Sequence, residues 1–463
     1  MAKSTSKNGH AKPKAEESLT AYFLSLEVEN VRCFGEKQKL DLSDGNGKPA
    51  PWTIILGVNG TGKTTLLQCL VGFTSNNDNG FDQSAENYSK VLFSLIDIVG
   101  IFRSGATKFA ITLTASFSKQ LHGENTNISK LDCQFKKTTT GCDGTIDTLA
   151  HSATKVKAHQ PIILAYGAGR RIGEISFLEE SVDDDPTGTL FSDKAKLRNP
   201  EEWLIYLDYT SSTKHMVPRD RVLQRKRREI AIHLLKEVLW EIDGIRFIPG
   251  EGMRPKPRVE FLTKFGWVPF RQLGYGYQSL ATWVADFASR MVERYPYSEN
   301  PLAEPAVVLV DEIDLHLHPK WQRELMGRLT KLFPNTQFIA TAHSPLIAQA
   351  AADANLAVLR RDGDQVLIDN DVDYIRNWRV DQILTSDLFG LDSARPPHIA
   401  KQIAERDKIL GKAKLTKADE KKLEELEAEI GELPFGESKQ QNQMMKDIQE
   451  SLELLKKEAA LKK

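Results

Sequence analysis

The sequence predicts an α/β fold, a mixed sheet with helices on its faces, and three apolar runs carry that prediction. Residues 52–56 form a buried-strand run that stops at Gly57, where a glycine-rich loop leads into the helical pattern after Lys63. Residues 306–310 are continuously apolar and end in Asp311-Glu312, as a central parallel strand covered on both faces would. Residues 336–343 repeat that design and end in a histidine.

In chain order, residues 1–18 are rich in Lys, Ser, Gly and Pro with almost nothing apolar, and read as a disordered basic tail that carries no chemistry. Ordered sequence begins near Ala21 with two strands joined by a turn, FLSLEVENVRCF and KLDLS. After the 52–56 strand and its helix, KFAITLTASF and PIILAYG read as strands, separated by loop-like stretches rich in Asn, Gly, Ser and Thr. Residues 199–245 turn helical, an insertion between the halves of a domain spanning 19–395. RVEFLTKFG and WVPF follow as strand-like, then a helix over 279–293. Residues 396–463 are dense in Lys and Glu, with Leu415, Leu423, Leu426 and Ile430 before Pro434 and Ile448, Leu452 and Leu455 after it. That pattern predicts two helices folded back as a hairpin or short coiled coil for oligomer or partner contacts.

Composition narrows the function. The chain has 463 residues, 40% hydrophobic, enough for two or three domains with a sizeable core. Lys plus Arg at 62 against Asp plus Glu at 63 exclude coating nucleic acid by bulk charge, so contact with DNA or RNA needs a local basic patch. Cys33, Cys69, Cys133 and Cys142 form no CxxC pair, and no segment approaches the ~18 apolar residues of a membrane span. A cytoplasmic protein with no membrane partner is expected.

The chemistry lies in three motifs. Gly57-Val58-Asn59-Gly60-Thr61-Gly62-Lys63-Thr64 is a complete GxxxxGK[ST] loop. Its backbone N–H groups, from Asn59 to Thr65, would cradle a phosphate, Lys63 would reach the β- and γ-phosphates, and the Thr64 hydroxyl would meet Mg²⁺. The run VVLVDEIDLHLHP places Asp311 on the metal side and leaves Glu312 to deprotonate an attacking water. His343, at the end of its strand, can hydrogen-bond a γ-phosphate. His316 and His318 could suggest a transition-metal site, but no third ligand clusters with them. Arg219, Arg221, Arg225, Lys226, Arg227 and Arg228 form a basic cluster, read as a solvated face or acidic-partner dock more than a nucleic-acid patch.

At these residues the chain resembles the ABC-type P-loop ATPases of the SMC, RecF and overcoming-lysogenization-defect group, with motif order and spacing to match. The resemblance covers roughly residues 21 to 400. It implies ATP and Mg²⁺ as cofactors and nucleotide sandwiched between two heads, the partner's signature segment capping the γ-phosphate. Leu273-Gly274-Tyr275-Gly276-Tyr277-Gln278 stands where that segment falls, making Gly274, Gly276 and Gln278 candidate nucleotide contacts. Gly274 replaces the usual serine, which removes one γ-phosphate hydrogen bond and predicts slow hydrolysis. Asp314 falls at the family's dimer-contact loop, and Arg32 near a position where relatives touch the nucleotide. Arg170 and Arg171 could meet phosphates or a neighbouring subunit. No glutamine-loop residue emerges, although Gln83 and Gln160 are conceivable.

The chain lacks the long coiled-coil arms of SMC proteins and a spaced Glu and Asp-x-Asp nuclease set. That architecture is similar to the stand-alone ATPase subunits of Septu-type anti-phage systems. The resemblance implies an oligomeric ATPase that restrains a separately encoded HNH-type nuclease according to nucleotide state. The alternatives are a RecF-like or SMC-like DNA-repair ATPase, an uptake-transporter ATPase, disfavoured by the DExDxHLHP stretch, and a nucleotide switch with little turnover.

Overall fold

β1 (Leu19–Glu29) buries Tyr22, Leu26 and Val28, and β2 (Gln38–Asp41), β3 (Trp52–Gly57) and α1 (Lys63–Val71) follow it. Next come β4 (Lys108–Ser118), β5 (Asn127–Thr138), β6 (Gly141–Ala150) and β7 (Ala158–His159). β8 (Ile162–Tyr166), β9 (Arg171–Ile172) and β10 (Lys196–Leu197) lead to the helices α2 (Pro200–Ser212) and α3 (Pro218–Val238). β11 (Gly244–Ile248), β12 (Arg258–Thr263) and β13 (Gly266–Pro269) precede α4 (Tyr275–Arg294). β14 (Ala306–Val310), α5 (Pro319–Leu332), β15 (Thr336–Ala342) and α6 (Pro345–Ala350) follow. β16 (Asn355–Asp362), β17 (Gln365–Asp369), α7 (Val380–Leu384), α8 (Pro397–Leu410) and α9 (Lys417–Ile430) complete the order. This computed structural model describes residues 19–72 and 102–430, with breaks at 119, 122, 124–126, 139–140, 151–157, 160–161, 174–184, 214–216, 251–255, 352, 373–374, 376, 387 and 413–414. The expected basic tail, residues 431–463, Gln83 and Gln160 lie outside the described residues.

The central sheet runs β17-β16-β3-β15-β14-β8, parallel throughout except for the antiparallel edge strand β17, a mixed sheet. Successive side chains of a strand point to opposite faces, so β14 feeds two cores at once. Val308 and Val310 join the helical side, where Trp283, Phe287, Phe333 and Phe338 pack; Val307 and Leu309 join Leu66, Leu70, Ile111 and Leu113 on the other. The second core lies against the antiparallel sheet β2-β1-β4-β5-β6, with β7 parallel to β1. Gln337 is fully buried between the sheets, its amide accepting from the Phe23 N–H at 2.8 Å and donating to the Phe23 carbonyl at 2.8 Å. A polar side chain survives there because both its groups are satisfied.

Parallel register brings the carboxyl ends of β8, β14, β15 and β3 to one edge, with Val310 opposite Tyr166 and Ala340, and Ala340 opposite Ile54. Open α/β sheets bind ligands just beyond those ends. The chain divides at Phe389/Gly390 into two compact units. In the second, α8 and α9 pair through Ile403, Ile409, Leu426 and Ile430 as a helical hairpin whose turn falls between Leu410 and Lys417, not at Pro434 as the sequence pattern predicts.

The structure departs from the sequence reading in three places. β5 and β6 occupy a stretch read as loop, because polar residues there pair through backbone ladders next to β4. β16 and β17 were not expected, although β16 carries the buried apolar run Leu356-Ala357-Val358-Leu359 beside β3. α4 begins at Tyr275, four residues before the expected start, since its glycine-containing first turn is held by packing.

A buried network joins α4 to the sheet. Asp286 is 1% exposed, accepts from the Tyr166 hydroxyl at 2.8 Å and pairs with Arg290 at 2.8 Å. Removing one member of a buried pair costs about 3–5 kcal/mol. Asp286→Ala is therefore expected to lower the thermal unfolding midpoint by several degrees, read by circular dichroism.

Candidate functional site

The phosphate loop begins where β3 ends. Gly62 has φ +86, and a Cβ there would meet the Cys33 sulfur at 2.5 Å and the Phe34 ring at 2.9 Å, so only glycine serves. The Thr61 hydroxyl donates to the Val58 carbonyl at 2.8 Å, and Lys63 Nζ donates to the Gly57 and Val58 carbonyls at 2.8 and 3.1 Å. These bonds seat the lysine inside its own loop. Burial pulls the Lys63 proton affinity down, opposed by Asp311, Glu312 and Asp314. α1 carries no side-chain cap and no acidic residue in its first turn, which leaves its first N–H groups to an anion. Asn59 and Gly60 are exposed at the loop apex, where Arg361 of β16 donates to the Asn59 carbonyl at 3.1 Å.

Asp311 is the meeting point. The Thr64 hydroxyl reaches its Oδ2 at 2.7 Å, and the Thr341 hydroxyl its Oδ1 at 2.6 Å. Thr341 Oγ1 also accepts from the Glu312 N–H at 2.8 Å. Glu312 adopts φ +48, a left-handed conformation that costs a side-chain-bearing residue on the order of 1–3 kcal/mol and is retained only under outside restraint. Its Oε1 lies 3.8 Å from His343 Nε2, both side chains about one-third exposed. The His343 N–H is held by the Asp314 carboxylate at 3.2 and 3.3 Å. Gln322 of α5 donates to the Leu317 carbonyl at 3.0 Å and accepts from the Ser344 hydroxyl at 2.6 Å, tying the turn after β14 to the turn after β15.

One carboxylate beside one hydroxyl fits Mg²⁺, a hard cation that takes few protein oxygens and completes its shell with phosphate and water. Among the described residues no group of three or more His, Cys, Asp or Glu could hold a metal unaided. His318 caps α5 by accepting from the Lys320 N–H at 3.2 Å, and His316 meets the Tyr275 ring edge-on, so the pair forms no transition-metal site. Arg170 turns inward: 7% exposed, it donates to the main-chain carbonyls of Asp311 and Glu312. Arg171 is exposed on β9.

The structure brings Lys63, Thr64, Asp311, Glu312 and His343 together. Gly274, Gly276 and Gln278 lie elsewhere, and among the described residues no hydrogen bond links them to residues 57–65. A Cβ on Gly276 would collide with the His316 carbonyl, so that glycine lets α4 dock on the turn after β14. Gln278 turns its amide back onto the Leu273 carbonyl at 2.6 Å. Arg32 has φ +45 and donates to Thr65 Oγ1 at 3.1 Å and Gln68 Oε1 at 3.0 Å, over the first turns of α1. Sequence reasoning missed Thr341 and Gln322. Thr341 stands two residues before His343 on a strand that ends at the site, and that placement was the available signal.

Two expectations follow. Gly274 caps α4 at φ −57 and ψ 152, with 3.7 Å of clearance to Tyr277, so Gly274→Ser should fold normally and gain a few tenths of a kcal/mol as a better cap. Thr341→Val leaves the Glu312 N–H and one Asp311 oxygen without their partner. It should cost about 1–3 kcal/mol in denaturant unfolding and disable the acid pair.

Two family models match the chain: "AAA domain" over residues 25–236, and "AAA domain, putative AbiEii toxin, Type IV TA system" over residues 246–348. The Septu protein PtuA of Bacillus mycoides (strain KBAB4) is 26% identical over 375 residues, which is 80% of this chain and 45% of that protein. The chain thus spans under half the length of that relative. The Retron Ec83 probable ATPase of Escherichia coli is 44% identical over 89 residues, 19% of this chain and 16% of that protein. The SMC head domain from Thermotoga maritima aligns at 13% identity and a TM-score of 0.40, covering 76% of this chain and 99% of that one. With its phosphate loop between β3 and α1 and Asp311 meeting Thr64 of that loop, the chain has the arrangement of a P-loop fold, and it is similar to the AAA domain models over those residues and in sequence to Septu PtuA.

Proposed function

We propose that this chain binds and hydrolyses ATP with Mg²⁺, as the ATPase subunit of a bacterial anti-phage defence complex. It would assemble through ATP-sandwiched dimers and restrain a separately encoded HNH-type nuclease according to nucleotide state. The observation that carries the hydrolytic part is Asp311, bound on one oxygen by the phosphate-loop Thr64 and on the other by Thr341. That geometry supports reading Asp311 as the metal-side carboxylate, beside the loop proposed to grip phosphates.

The roles follow from position. A triphosphate would meet the first turn of α1, where Lys63 would reach its β- and γ-phosphates and Thr64 and Asp311 would hold Mg²⁺. Held there, Mg²⁺ would supply positive charge to the phosphate oxygens. Glu312 orients a water and takes its proton as the oxygen attacks the γ-phosphorus and the bond to the bridging oxygen breaks. His343, 3.8 Å from Glu312, faces the same space and can donate to the γ-phosphate. Gly274, Gly276 and Gln278 would serve the nucleotide of a second copy, across the sandwich.

The defence reading rests on similarity to Septu and retron ATPases. The hairpin of α8 and α9 is the proposed surface for oligomer or nuclease, and the cytoplasm the proposed location. Among the described residues no helix is long and apolar enough to cross a membrane. The DNA-repair alternative loses support at the basic cluster. Arg228 pairs with Asp208 at 2.7 Å and Arg227 donates to the Pro296 carbonyl, leaving Arg219, Arg225 and Lys226 exposed beside Asp220 and Glu229.

The test is ATP binding and turnover by purified chain. Lys63→Ala should weaken ATP binding at least about tenfold, and Glu312→Gln should cut turnover about 10²–10⁴-fold, the usual contribution of a general base, while keeping ATP-dependent dimerisation in sedimentation. Wild-type chain that binds no ATP, or turnover unchanged in Glu312→Gln, would remove the reading. Co-expression with the neighbouring reading frames should recover a nuclease that becomes active when ATP is depleted.

A further inference from the structure

The loop after β8 supplies a side chain that the nucleotide chemistry above leaves unused. β8 and β14 are parallel neighbours, and the Asp311 N–H donates to the Tyr166 carbonyl at 2.8 Å, so residues 167–170 leave the sheet beside the acid pair. Gly167 makes room for the turn, since a Cβ there would collide with the Thr189 carbonyl. Arg170 Nε donates to the Gly167 carbonyl at 3.1 Å, and its Nη2 donates to the carbonyls of both Asp311 and Glu312.

Those two carbonyls belong to the peptides on either side of the Glu312 α-carbon. The orientations of these peptides are the φ and ψ of Glu312, and Thr341 holds the N–H of the first. Arg170 and Thr341 together therefore fix the backbone that carries φ +48 and with it the direction of the Glu312 side chain. A planar guanidinium suits the task because one rigid fork spans two acceptors and stays charged when buried. Burial draws Arg170 down to about 10, against the pull of Asp311, Asp314 and Glu312, so it remains a cation behind three carboxylates.

We propose that Arg170 is a positioning residue for hydrolysis, aiming Glu312 at the attacking water through its main chain without touching nucleotide. The proposal rests on the reading of Glu312 as the base.

The experiment measures ATP affinity and single-turnover hydrolysis separately in the full chain. Arg170→Met, similar in length but without donors, should hydrolyse about 10²-fold more slowly, within the range a general base contributes, with ATP affinity within about threefold of wild type. Arg170→Lys, which restores charge and one donor, should recover about tenfold of that rate. In a Glu312→Gln background Arg170→Met should cost nothing further, because it acts through the side chain already removed. If Arg170→Met fails to fold, Arg170→Lys carries the test alone, with hydrolysis reduced at unchanged affinity.

Wild-type hydrolysis in Arg170→Met would overturn the proposal, as would ATP affinity falling in step with rate, which would make Arg170 a nucleotide ligand. An undiminished penalty in the Glu312→Gln background would overturn it too. Full turnover in Glu312→Gln alone would instead overturn the base assignment beneath it, a separate result.

Discussion

The Asp311 carboxylate is the point on which the site turns. It closes a hydrogen-bonded chain from the phosphate loop through β14 to β15, accepting from Thr64 on one oxygen and Thr341 on the other. A nearly buried carboxylate is tolerated only with such partners. The parallel sheet makes the arrangement available: β3, β15 and β14 are adjacent and in register, so a threonine and an aspartate far apart in sequence end at the same level. The phosphate loop, Asp311 and the Glu312 main chain are thereby tied together by hydrogen bonds, the fixed placement that the proposed hydrolysis by positioning and charge would need.

A second polar network stands behind the first. Tyr166 uses its hydroxyl on Asp286 of α4 and its main-chain carbonyl on Asp311, so α4 and the strand end that carries Asp311 are tied through one residue. Arg290 completes the buried pair, and the backbone N–H of Arg198 reaches the other Asp286 oxygen at 3.2 Å. On the same side Gly276 docks α4 on the His316 carbonyl, while Gln322 links the turns after β14 and β15.

The chemistry was more legible in sequence than the scaffold. Lys63, Thr64, Asp311, Glu312 and His343 announce themselves because phosphate binding needs a glycine-rich loop and because acids seldom end an apolar strand without cause. Thr341 and Gln322 did not, and Arg170 stood out only as a possible phosphate or subunit contact, since a hydroxyl, an amide or an arginine near a strand end has many ordinary uses. The basic run on α3, expected as a solvated face or acidic-partner dock more than a nucleic-acid patch, is partly drawn into the fold, where Arg228 pairs with Asp208 and Arg227 donates to the Pro296 carbonyl. β5 and β6 went unread because their polar residues pair through neighbouring strands rather than by intrinsic propensity, and β16 and β17 were passed over although β16 carries an apolar run.

From the residues alone came a phosphate loop after a buried strand, an acid pair after a second, a histidine after a third, and a polar, helical carboxyl-terminal segment. Those features are local, fixed by spacing and by side-chain chemistry within a few residues. Only the folded chain decided that one aspartate oxygen would meet a loop threonine and the other a strand threonine, and that an arginine after β8 would grip the peptides flanking Glu312. Such contacts join positions separated by 141 to 247 residues in the case of Arg170 with Asp311 and Thr64 with Asp311, and no periodicity along a sequence records which strands will lie side by side.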